Sequence, residues 1–84
     1  MNNKALVEIS VPAAGQKYDV YIPLDCKMGD VVTMLAGALS DLSNGRYQAT
    51  GEAVLCDANT GTIFDINTEV AELGIQTGAQ LVLI

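Results

Sequence analysis

The chain has 84 residues and a formal charge of −6, from ten acidic and four basic side chains. Half of the residues are hydrophobic and only 17% are charged. That excludes a disordered polymer and predicts one domain, residues 1–84, with a single core. An acidic balance of this size disfavours phosphate backbones and anionic lipid head groups as partners and favours basic protein surfaces.

Taken in chain order, Lys4 to Val11 alternates, with Val7, Ile9 and Val11 on one face and Leu6, Glu8 and Ser10 on the other. This is the period of a half-buried strand. Pro12-Ala13-Ala14-Gly15-Gln16 is turn-forming, and Tyr18 to Leu24 alternates again, so the two runs predict a hairpin. The period then changes. Met28, Val31, Leu35, Ala38, Leu39 and Leu42 form one apolar stripe at helical spacing. Asp30 suits the positive end of that helix, and Ser43-Asn44-Gly45 ends it.

Ala53 to Cys56 and Thr62 to Phe64 are short apolar runs joined by Asp57-Ala58-Asn59-Thr60-Gly61, a hairpin loop. Val70 to Leu73 predicts one helical turn, and Gly74 after it suits a positive φ. Leu81 to Ile84 is a final strand. The expected order is β-β-α-β-β-turn-β. With one helix available, the simplest packing is α+β: a mixed sheet with the helix on one face.

The N-terminal Met1-Asn2-Asn3-Lys4 lacks the apolar stretch of a signal peptide, and no apolar run approaches a membrane span. The expected location is the cytoplasm, without direct membrane insertion. Cys26 and Cys56 are then expected to be reduced, as small apolar core residues. A disulfide between them stays open, because sequence does not give their separation.

Histidine is absent. That removes Ser-His-Asp and Cys-His sites and most zinc sites. The glycines are scattered, and none begins a phosphate-binding loop. There is no tryptophan and few cations, so no aromatic-basic surface for nucleic acid is expected. Asp57, Asp65, Glu69 and Glu72 form the densest acidic set and are read as a solvated rim. Asp57 to Gly61 begins like a calcium loop, but no glutamate completes it. No enzymatic activity, cofactor or metal is expected.

The element order is that of the β-grasp. The closing segment Val70-Ala71-Glu72-Leu73-Gly74-Ile75-Gln76-Thr77-Gly78-Ala79-Gln80-Leu81-Val82-Leu83 resembles that of ubiquitin-like domains, and Met28-Gly29-Asp30-Val31 resembles their helix start. Among such domains the chain is most similar to the YukD-like group. These are small bacterial proteins associated with type VII, or ESX-like, secretion. That resemblance implies a non-catalytic adaptor docking to a cytoplasmic part of the membrane machinery. The alternatives are a β-grasp carrier or modifier of the sulfur-transfer class, or a ubiquitin-like domain of an unrelated process. Such carriers use a C-terminal Gly-Gly; the sequence has none, so conjugation and sulfur transfer are not expected.

Alternation also predicts a partner-binding face. With Val7, Ile9, Leu81, Leu83 and Val54 toward the helix, Leu6, Leu55, Val82 and Ile84 point away and share one apolar patch. Leu55 also resembles the outward aliphatic of the third strand of ubiquitin. The occupant expected there is a protein partner, with a homodimer as the alternative.

Overall fold

The computed structural model describes residues 3–49 and 51–84. Met1, Asn2 and Thr50 lie outside the described residues, and with them the first two positions of the expected 1–84 domain and of the N-terminal stretch. The elements are β1 (Lys4–Val11), β2 (Gln16–Pro23), α1 (Met28–Leu42), β3 (Leu55–Asp57) and β4 (Gln80–Leu83). Single 3-10 turns occupy Pro12–Ala14 and Val70–Leu73.

The strands form one four-stranded sheet in the order β2-β1-β4-β3. β1 is antiparallel to β2 from Lys4↔Pro23 to Val11↔Gln16 and parallel to β4 through Ile9↔Leu81. β3 is antiparallel to β4 through Leu55↔Leu83. This is the α+β, β-grasp architecture that the residue pattern predicts, with one correction. Thr62 to Phe64 is not a strand. Only Ile63 pairs there, as an isolated bridge to Cys56, because the three-residue run lies beside a three-residue edge strand and has no further ladder to join.

One face of the sheet builds the core. Val7, Ile9, Val11, Ile22, Leu55, Leu81 and Leu83 are buried against α1. From the helix come Met28, Val31, Val32, Leu35, Ala36 and Leu39. Four of the six predicted stripe positions are thus buried, but Ala38 and Leu42 are exposed and Val32 and Ala36 replace them. The apolar arc is rotated toward the Val32 flank, because the segments carrying Ala53 and Ile66 lie along that side.

The N-cap residue of α1, Lys27, makes no side-chain capping bond. Instead the Met28 and Gly29 N–H groups donate to the Thr68 and Ile66 carbonyls at 2.8 and 2.9 Å. A Cβ on Gly29 would lie 3.1 Å from that Ile66 oxygen, so the close approach of the loop favours glycine here. The other end closes through left-handed Asn44 and Gly45 (φ 55° and 81°). Gly74 ends the Val70 turn at φ 76°, as the sequence predicts. That turn is held by Val70 and Ala71 N–H groups donating to the Cys26 and Leu24 carbonyls, each at 3.0 Å.

Candidate functional site

Among the described residues no helix lies on the sheet's second face. Strand pairing fixes which side chains share it, since directly opposed residues point the same way. One row crosses the whole sheet: Lys17, Ser10, Val82, Cys56 and Ile63, each opposite the next. A second row runs Asp19, Glu8 and Gln80. Val54 and Ile84 exchange both backbone hydrogen bonds, at 3.0 and 2.9 Å. This extends the β3–β4 ladder one pair beyond the strands and places both side chains on this outer face.

The outer face is therefore apolar in one corner, where Val54, Cys56, Ile63, Val82 and Ile84 meet. Ile63 and Ile84 are 66% and 65% exposed, unusual values for isoleucine. Cys56 is buried, yet it stands apart from the core cluster; its cover comes from this face. Beyond the corner the face is polar and charged, with Ser10 and Lys17 in the Val82 row and Glu8 and Asp19 opposed in the next.

The residues expected on this face divide into three cases. Val82 and Ile84 do lie together on it. Leu6 lies on it as well, but its neighbour is Tyr21 across the β1–β2 ladder. Val82 pairs with Ser10, four residues further along β1 than Leu6, or roughly 13 Å at strand rise. With Lys4, Tyr21 and Thr77 it lines a separate shallow concavity. Leu55 is a correction. It is 2% exposed and belongs to the core. Its partner across the ladder is Leu83, a core residue, whereas Cys56 faces outward opposite Val82. The phase expected for β3 is off by one: Cys56, not Leu55, takes the outward position.

Ile63 is the residue that sequence reasoning missed. Its signal was its place in a short hairpin opposite an outward residue, which becomes readable only once the phase of β3 is known. Val54, expected inward, is likewise on the outer face.

Other surfaces offer little chemistry. A groove of about 210 Å³ runs along α1 between Val32, Ala36, Ala53 and Ile66, and its lining carries no titratable side chain. The acidic loop is structural. Asp57 Oδ1 accepts the Asn59 and Thr60 N–H groups at 2.7 and 3.0 Å, and Asp65 Oδ1 accepts that of Asn67 at 2.9 Å. These carboxylates hold turns. Among the described residues no three cysteine or carboxylate side chains converge in a way that would hold a metal ion. Cys26 and Cys56 are both free, the first half-buried against the core. Among the described residues no helix is long and apolar enough to cross a membrane.

The family model described as "WXG100 protein secretion system (Wss), protein YukD" matches residues 6–83. No curated protein matches. Among solved structures, the chain is similar to the ubiquitin-like domain of the Mycobacterium tuberculosis type VII secretion protein EccD1. The TM-score is 0.77 at 15% identity, over 100% of this chain and 99% of that one. It is similar to a chain of the MycP5-free ESX-5 inner membrane complex, with TM-score 0.73 and 16% identity, over 99% of this chain and 21% of that one. Ubiquitin of Caldiarchaeum subterraneum gives TM-score 0.70 at 16% identity, over 96% of this chain and 91% of that one. At these identities the structural likenesses establish the ubiquitin-like fold.

Proposed function

Since the chain belongs to the YukD family of the WXG100 protein secretion system, we propose that it is a non-catalytic adaptor that docks a protein component of that system through the outer face of its sheet. The observation that carries this reading is the apolar corner. Two isoleucines from different segments, Ile63 and Ile84, stand about two-thirds exposed around the half-buried Val82 and Val54. An apolar cluster bordered by polar side chains is the usual form of a protein-binding hot spot.

The electrostatics define the partner's complement. Glu8 lies diagonally beside Val82, with Lys17 4.0 Å from it, and the whole chain carries −6. The partner therefore presents an apolar anchor with lysine or arginine beside it. Charge steers the encounter, and the apolar contact sets the residence time. Similarity to a chain of an ESX-5 inner membrane complex supports a soluble segment of the membrane machinery as the docking target. The two free thiols favour a reducing compartment, the cytoplasm.

The test is capture of membrane-machinery subunits from the native host by the wild-type protein and by an Ile63→Asp/Ile84→Asp variant. Both side chains are solvent-facing, so the variant keeps its circular dichroism spectrum. Recovery with wild type and loss with the variant supports the docking face. Equal recovery with both keeps the adaptor role and removes the corner from it. Failure to recover any such subunit overturns the adaptor reading.

A further inference from the structure

Among the described residues β2 is an edge strand, flanked only by β1. Its hydrogen-bonding phase follows from the flanking bonds. The Leu24 N–H donates to the Asn3 carbonyl at 2.6 Å. Antiparallel alternation then turns the backbone groups of Ile22, Val20, Tyr18 and Gln16 toward β1. On the far side of β1 the Glu8 N–H donates to the Ala79 carbonyl at 3.0 Å, which fits the same phase. Lys17, Asp19 and Tyr21 accordingly direct their N–H and C=O groups away from the sheet. Pro23 directs only its carbonyl.

The same residues carry an electrostatic imbalance. Asp19 stands directly opposite Glu8, a like-charge pair on one face, which weakens a ladder. Lys17 Nζ reaches Glu8 Oε1 at 4.0 Å, with the lysine side chain 67% exposed. Among the described residues no cation pairs with Asp19.

We propose that β2 pairs antiparallel with β2 of a second copy of this chain, in the register that sets Lys17 of each copy opposite Asp19 of the other. The phase of the edge leaves few registers, and they differ in chemistry. Placing Asp19 opposite Asp19 brings two carboxylates together. Placing Asp19 opposite Tyr21 sets Pro23 against Lys17, where the missing N–H leaves a gap in the ladder. Only the Lys17–Asp19 register gives symmetric opposite-charge pairs and ends the ladder before Pro23. It also carries Tyr21, 66% exposed, to the Gly15 turn of the other copy, where nothing lies within 4 Å of the Cβ position.

The two-fold axis of this pairing stands perpendicular to the sheet. It produces one continuous sheet, with both helices on one face and both Ile63–Ile84 corners at the far ends of the other. The contact is small, so the dimer is transient and populated at high concentration.

Sedimentation velocity over a concentration series tests this, together with amide hydrogen exchange by NMR. Wild type is expected to self-associate, with the Lys17 and Asp19 amides exchanging more slowly as concentration rises. Lys17→Asp and Asp19→Lys each weaken association at least about tenfold, because symmetry counts every reversed pair twice. The Lys17→Asp/Asp19→Lys double variant restores it by exchanging the charges. A protein that stays monomeric throughout overturns the proposal. So does a dimer that ignores both single reversals, or one whose Lys17 and Asp19 amides exchange as fast as in the monomer.

Discussion

Ser43 holds Tyr47: its Oγ accepts the Tyr47 backbone N–H at 2.9 Å while donating to the Ser40 carbonyl at 3.2 Å. Both residues are buried, so the bond exchanges with no water. Ser43→Ala leaves the Tyr47 N–H without its acceptor and should cost about 1–3 kcal/mol. A urea titration checks this, with a lower midpoint and an unchanged slope as the expected result. An unchanged midpoint would show that the loop after α1 finds another acceptor.

Burial pushes the Tyr47 hydroxyl above its ordinary pKa of 10.0. The unfolded chain releases that proton first, so the folded state binds more protons over the interval between the two values. The contribution is fully present below the unfolded value and is lost as pH rises toward the folded one. Wild type should therefore weaken on the alkaline side of 10, and Tyr47→Phe should lack that component. Urea midpoints compared between neutral and strongly alkaline solution measure it. Identical alkaline losses in both proteins would place the titration elsewhere.

Leu55 and Ile63 should respond in opposite ways to the same change. Leu55 is 2% exposed and Ile63 is 66% exposed. Leu55→Ala should cost about 2–5 kcal/mol through lost burial and the cavity it leaves. Ile63→Ala should stay within about 0.5 kcal/mol of wild type and affect only partner capture. Thermal denaturation separates them, and similar losses for both would refute the assigned phase of β3.

Gly74 adopts φ 76° after the Val70 turn, with nothing within 4 Å of its Cβ position. Gly74→Ala meets backbone strain alone, about 1–2 kcal/mol. For a domain of this size that lowers Tm by roughly 4–8 °C per kcal/mol. A neutral result would mean that the turn reorganises.

The fold was legible where a periodic run was long enough to show its phase. Lys4–Val11 alternates over eight residues, and its inward set is the buried one. Gly74 was legible because only one backbone geometry closes a turn there. β3 was not, because Ala53-Val54-Leu55-Cys56 is apolar throughout and carries no period. Its phase is decided by pairing with β4, a tertiary fact. The same error placed Leu55 in the candidate site and hid Ile63. Ala38 and Leu42 matched the helical spacing as well as Val32 and Ala36 did; what separates them is which flank of α1 the later loops cover. Tyr47 carried no periodic signal, because its burial depends on the Ser43 bond.

β1 and β4 lie side by side in parallel at the centre of the sheet, although they come from opposite ends of the sequence. Every other strand can find its neighbour within a hairpin or across β4, but this seam joins Ile9 to Leu81. Closing so large a loop precedes any reward from the contacts it makes. During synthesis, the hairpin and helix must wait with their apolar faces uncovered until Leu81 and Leu83 leave the ribosome. The domain therefore closes only once its last strand has emerged, and the interval before that is its period of greatest exposure to aggregation and proteolysis.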